Sequence, residues 1–194
     1  EPYSWRDLLD PKWKGKLLSP DPRASQGNVV FYNMRYFKAL DMDYFRRLAK
    51  QDLIIYPGDA KEAYTMVARG EYPSYIGGSS ETVAPLFKEG APLKFLVDME
   101  EGAIAWGNVN TVVKNAPHPN AAKLFMNWIL TREGQYAFAE AGSATPLRKD
   151  VPDFLAVKGP RTTPKKVFAR TWESEVQSAL EIRSGVMDEI FGKR

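Results

Sequence analysis

Two short runs hold most of this chain's capacity for chemistry. Asp21-Pro22-Arg23-Ala24-Ser25-Gln26-Gly27-Asn28 and Gly77-Gly78-Ser79-Ser80-Glu81 both combine small residues with hydroxyl, amide or acidic side chains. Small residues let backbone N–H groups approach a ligand closely, and hydroxyls both donate and accept hydrogen bonds. Where such a run opens a helix, unpaired N–H groups and the helix dipole favour an anion. The same residues also suit plain structure: Ser25 as a helix cap, Gly77 to Ser80 as a turn with an N-cap. Glu81, in a first helical turn, complements the dipole but repels an anion. It suits a sugar hydroxyl, an amine or solvent.

Trp106, with Asn108 and Asn110, offers an aromatic face beside amides, suited to stacking on and hydrogen-bonding a small polar ligand. A hinge strand with a core indole explains the same residues. His118 is the single histidine and lies between prolines at a helix start, which reads as a surface turn. A serine nucleophile needs a neighbouring base, and the sequence offers none. Glu100 and Glu101 are adjacent, and adjacent positions on a strand point to opposite faces. The residues favour binding over turnover, with no cofactor. The candidate binding set is Ser25, Gln26, Gly27, Gly77, Gly78, Ser79, Ser80, Trp106 and Asn108.

The elements that would position these residues alternate in type. Leu17-Leu18 reads as a strand, followed by a loop from Ser19 to Gly27 and a helix with Val30, Met34 and Phe37 on one face. Phe45 and Leu48 mark a second helix. Leu53 to Tyr56 is a buried-strand candidate, and Asp59 with Glu62 forms a capping box for a helix through Met66 and Val67. Ser74 to Ile76 is a strand running into the glycine pair, and a helix through Val83, Leu86 and Phe87 stops at Gly90. Leu93 to Val97 is a further strand candidate. This β-then-α alternation predicts a layered α/β lobe with a mostly parallel sheet, whose loops at the strand carboxyl ends are the usual ligand positions.

Beyond Ala103 the pattern changes. Ala103 to Trp106 and Asn110 to Val113 read as extended, and Pro117 to Asn120 opens a helix with Ala122, Phe125, Met126 and Ile129 inward. Another helix begins at Thr131 and stops at Gly142. Residues 143–170 read as loop. A final helix from about Thr171 carries Val176, Leu180, Met187 and Ile190 on a stripe.

Composition narrows the class. The 194 residues carry a formal charge of +3, are 44% hydrophobic and 26% charged, and contain no cysteine. Disulfides and thiolate metal sites are thereby excluded, and no basic motif for nucleic acid appears. No apolar run approaches the roughly 20 residues that span a bilayer.

The run Trp5-Arg6-Asp7-Leu8-Leu9-Asp10-Pro11-Lys12-Trp13-Lys14-Gly15-Lys16 resembles the iron/anion branch of the solute-binding proteins that serve bacterial ABC importers. Locally it makes a Ser4-capped turn, with Trp5 and Trp13 packing around it. Val113 to Phe125, Glu133-Gly134-Gln135 and Pro146 to Val151 follow the same family's order. The resemblance implies a type 2 periplasmic-binding fold: an α/β class with one largely complete α/β lobe plus an incomplete second lobe. It divides the chain into a crossover at 1–18, the α/β lobe at 19–98, and a return into the other lobe with the C-terminal helices at 99–194.

The resemblance further implies capture of a small-molecule ligand between lobes, delivery to an ABC permease, and a periplasmic or lipid-anchored extracellular location, with the leader outside this chain. In that family the opening run lies mid-chain, so a truncation is expected, leaving faces such as Phe125–Ile129 and Leu180–Ile190 to be covered by self-association. Ferric-binding members use adjacent tyrosines just after the strand at 74–76. Here Gly77 and Gly78 occupy or adjoin those positions and Tyr75 stands alone, so iron ranks below a phosphorylated or carboxylated compound or a polyol. A ligand-sensing regulatory domain of similar fold is the rival from another class.

Overall fold

The computed structural model describes residues 1–23, 25–105, 107, 110–154 and 161–192, with the side chains of residues 25–29 and 183 outside the description. Two short 3-10 turns open the chain, at Trp5–Leu9 and Pro11–Trp13. Ser4 caps the first, as the sequence predicts, and Asp7 returns the bond to complete a capping box.

The chain then enters β1 (Leu17–Ser19), the fully buried centre of a three-stranded parallel sheet. Its neighbours are β2 (Ile54–Ile55) and β3 (Ser74–Tyr75), with Leu18 opposite both Ile54 and Tyr75. Between the strands lie α1 (Ser25–Tyr36), α2 (Met42–Ala49) and α3 (Ala60–Ala68). After β3 comes α4 (Ser80–Lys88). These are the α/β alternations read from the sequence, although α1 starts at Ser25 and not after Gly27. Asp59 caps α3 by accepting from the Lys61 N–H; the return bond from Glu62 is not formed.

The core lies between sheet and helices. Leu17, Phe31, Tyr32, Met34, Tyr44, Phe45, Leu48 and Ile76 are essentially inaccessible. Phe31 meets Phe45 edge-on at 5.6 Å and Tyr44 meets Phe45 at 5.3 Å, contacts worth about 0.5–1.5 kcal/mol each beyond area burial. Trp5 and Trp13 pack against this cluster, as their place in the opening run suggests.

Two sequence readings of strands need correction. Leu93–Val97 forms no ladder among the described residues; the Val97 N–H donates to the Arg161 carbonyl instead. Conversely, a strand stands inside the stretch read as loop. β4 (Ala103–Ala105) pairs in parallel with β5 (Val167–Ala169), and Phe168 of β5 stacks on Phe37 at 4.9 Å. Three apolar residues among basic neighbours give little sequence signal, and a tertiary partner decides the outcome.

Where the chain passes between these parts, polar side chains bind the passing segments together. Glu101 accepts from the Ser4 hydroxyl at 2.6 Å and the Trp5 N–H at 2.9 Å. The buried Arg161 donates its Nε–H to Asp98 at 2.8 Å, and its guanidinium lies 3.9 Å from the centre of the Tyr3 ring. That guanidinium holds the Asp98 carboxyl below its ordinary range.

The remaining helices are α5 (Pro119–Ile129), α6 (Arg132–Gly142), α7 (Trp172–Ser184) and α8 (Val186–Phe191). Gly185, at φ +68, splits the single C-terminal helix expected from Thr171 into α7 and α8. The anticipated stripe is also wrong for α7. Val176 and Leu180 are exposed, while Ser174 and Ser178 are buried and Glu181 pairs with Arg35 of α1. Small polar residues allow close approach to α1 and bond locally: the Ser178 hydroxyl donates to the Ser174 carbonyl. Met187 of α8 is buried in the main core with Ile182, Val186 and Ile190 packed around it. The face expected to stand open at Leu180–Ile190 is therefore covered by α1 and α2, apart from Leu180. On α5, Ile129 is buried and Met126 partly so, but Phe125 points outward and is 50% exposed.

Candidate functional site

Parallel pairing brings the carboxyl ends of β1, β2 and β3 to one edge of the sheet. Beyond β3, the Ile76 N–H still bonds to the Leu18 carbonyl, so the chain leaves the sheet only at Gly77. Gly77 has φ +78, a conformation costing roughly 1–2 kcal/mol for a residue with a side chain. Ser79 then caps α4, accepting from the Thr82 N–H at 3.3 Å, with the two hydroxyls 3.0 Å apart. The Ser79 side chain is thus engaged in capping. The N–H groups of Ser80 and Glu81, in the first turn of α4, have no intrahelical acceptor.

This turn opens onto a cleft of about 1080 Å³. Its lining includes Tyr75 and the turn, Leu93 to Val97, Ala103 to Ala105, and Phe138, Ala139, Thr145 and Leu147 from α6 and the segment beyond it. Gln135 holds that segment in place. Its amide donates to the Ile129 carbonyl at 2.8 Å and its oxygen accepts the Leu147 N–H at 2.9 Å. Gly134 permits the tight corner, since a Cβ there would lie 2.1 Å from the Trp128 carbonyl oxygen. Lys88 of α4 donates to the Ser143 hydroxyl at 2.7 Å, tying α4 to the end of α6.

The electrostatics of the cleft are spare. Among its described lining residues Lys94 is the only cation, and its ammonium is engaged by Glu1. Tyr75 is partly buried, and burial pushes its phenol up to about 12, so it is neutral at physiological pH. No group of three or more His, Asp or Glu side chains suited to a metal ion occurs among the described residues.

The sequence candidates fare unequally. Gly77, Gly78, Ser79, Ser80 and Tyr75 all line the cleft, and so does Asn110. Ser25, Gln26 and Gly27 form the first turn of α1, with side-chain placement outside the described residues, as are Trp106 and Asn108 altogether. His118 is exposed before α5 and makes no capping bond. Two residues that shape the site lie outside the candidate set: Gln135, and Tyr64 on α3, whose hydroxyl accepts the Ser79 N–H at 2.7 Å. The one sequence signal for Tyr64 was its inward position on an amphipathic helix.

Residues 1–166 match the sequence profile of a family described as bacterial extracellular solute-binding protein. The chain belongs to this family. An uncharacterized protein of Haemophilus influenzae is 25% identical over 193 residues, covering 96% of this chain and 54% of its own length. A putative 2-aminoethylphosphonate-binding periplasmic protein of Salmonella typhi is 28% identical over 156 residues, 77% of this chain and 46% of the relative. The chain therefore spans about half the length of these relatives.

Among solved structures, the periplasmic binding protein AfuA from Actinobacillus pleuropneumoniae, with exogenous fructose-6-phosphate bound, superimposes with a TM-score of 0.60. It is 25% identical, and the match covers 97% of this chain and 59% of that one. The periplasmic binding protein P5PA, at 24% identity, shares the fold with the same score and coverage. No described helix is long and apolar enough to cross a membrane.

Proposed function

We propose that the cleft of this chain captures a small solute bearing a phosphate or phosphonate group and does not transform it. The protein would serve as the binding component of a bacterial ABC importer, handing its solute to a permease from the periplasmic side. The observation that carries this reading is the first turn of α4 opening onto the cleft beside Gly77. Its N–H groups and dipole suit an oxyanion, and Ser80, Thr145 and Asn110 stand on the same lining. The named ligands of the Salmonella relative and of the Actinobacillus structure both carry a phosphorus oxyanion, which supports the same class here. Glu81, at the rim, suits a hydroxyl or ammonium elsewhere on such a solute. Ferric iron fits less well, because Gly77 and Gly78, which carry no oxygen ligand in their side chains, follow Tyr75 at the end of β3.

Titration calorimetry with fructose 6-phosphate, 2-aminoethylphosphonate, inorganic phosphate and ferric citrate tests this. Binding of at least one phosphorus compound is expected, weakened by up to about tenfold in Gly77→Ala, where a turn relaxed from its left-handed conformation in the free chain must regain 1–2 kcal/mol on binding. Tight ferric binding lost in Tyr75→Phe would overturn the proposal.

A further inference from the structure

We infer that Tyr64 is the positioning residue of the Gly77–Glu81 turn, holding Ser79 by its backbone and so deciding which N–H groups are left to meet a ligand. This rests on the proposal that the turn receives the solute.

Tyr64 comes from α3, yet its hydroxyl is built into the turn. It accepts the Ser79 N–H at 2.7 Å and lies 3.5 Å from the Ser79 carbonyl oxygen, to which it donates. The ring is only 6% exposed and meets Tyr75 edge-on at 5.1 Å, so its position is fixed from both sides. Burial pushes the phenol well above the ordinary tyrosine range, so the hydroxyl keeps its proton and its donor role. Gly78 belongs to the same device: a Cβ there would lie 2.8 Å from the Tyr64 hydroxyl oxygen. Its lack of a side chain thus makes room for the phenol, whatever it does for a ligand.

The consequence is a defined donor pattern. The Ser79 N–H is spent on Tyr64 and the Ser79 hydroxyl on Thr82. Ser80 and Glu81 N–H remain as the anion-facing pair at the start of α4. Tyr64 acts on a ligand through the turn.

Amide hydrogen exchange and a phosphate titration followed by NMR, on the whole chain and on Tyr64→Phe, test this. In the unmodified chain the Ser79 amide should be protected, with Ser80 and Glu81 shifting on addition of inorganic phosphate and Ser79 unmoved. In Tyr64→Phe, Ser79 should exchange about tenfold faster, as loss of one hydrogen bond implies, and join the amides that shift with phosphate. Gly78→Ala, which displaces the phenol, should reproduce these changes. If Ser79 behaves identically in both proteins while Ser80 and Glu81 still respond, the inference is overturned and the site stands. If no amide of the turn responds to phosphate, fructose 6-phosphate or 2-aminoethylphosphonate in either protein, the site reading falls and Tyr64's role in binding falls with it.

Discussion

Phe45 on α2 and Phe125 on α5 each sit among the apolar residues of a short amphipathic helix, yet Phe45 is fully buried and Phe125 is 50% exposed. The difference lies in their surroundings. Around Phe45, β1, α1 and α8 close a core in which Leu17, Phe31, Met34 and Met187 are inaccessible. Around Phe125, the α5–α6 hairpin meets chiefly itself. Leu124, Leu130 and Phe138 are exposed with it, and Ile129 and Ala139 are the apolar residues it buries. The hairpin keeps its shape by local polar and steric devices: the Thr131 cap, the Gly134 corner and the two bonds of Gln135. One region is held by burial, the other by stitching.

Substitutions at matched positions should break the two regions unequally. Phe45→Ala should cost about 3–5 kcal/mol, the usual range for deleting a buried aromatic ring, and Phe125→Ala less than about 1 kcal/mol. Urea denaturation monitored by tryptophan fluorescence distinguishes them, and equal losses would erase the contrast. Gly134→Ala should come next. Its Cβ would collide with the Trp128 carbonyl, an overpacking cost of about 1–3 kcal/mol. Hydrogen exchange should show the loss confined to α5 and α6, with β1 and α1 unchanged.

The smallest effect concerns acid. Arg161 lowers the Asp98 carboxyl from its ordinary 3.8. A group depressed on folding stabilises above its unfolded value and loses that contribution as pH falls through the folded one. Stability should therefore decline below about pH 4, and Asp98→Asn should flatten that part of the curve while lowering stability at neutral pH. Denaturation midpoints between pH 2 and 7 provide the check.

Much of the α/β lobe was legible from sequence because its signals are local. Ser4 and Asp7, Ser79 before Val83, and the inward spacing of Val30 and Met34 each specify a cap or a face within a few residues. β5 was not legible, since Val167–Ala169 is a strand only because β4 lies beside it. The exposure of Phe125 accords with the expectation that the 125–129 face is left without cover, whereas periodicity alone reads it as inward. An apolar stripe reports what a helix would bury, and says nothing about whether a partner is there. At the site, the glycine and serine run was visible as a turn that could bind. What sequence spacing could not supply was Tyr64, fifteen residues earlier, engaging the Ser79 N–H.

The most direct measurement is a crystal structure of the chain with fructose 6-phosphate or 2-aminoethylphosphonate. The phosphorus oxygens are expected within about 3 Å of the Ser80 and Glu81 N–H groups, with the Ser79 N–H still on Tyr64. A phosphorus group bound away from the first turn of α4, or a metal ion held by Tyr75, would contradict the assignment.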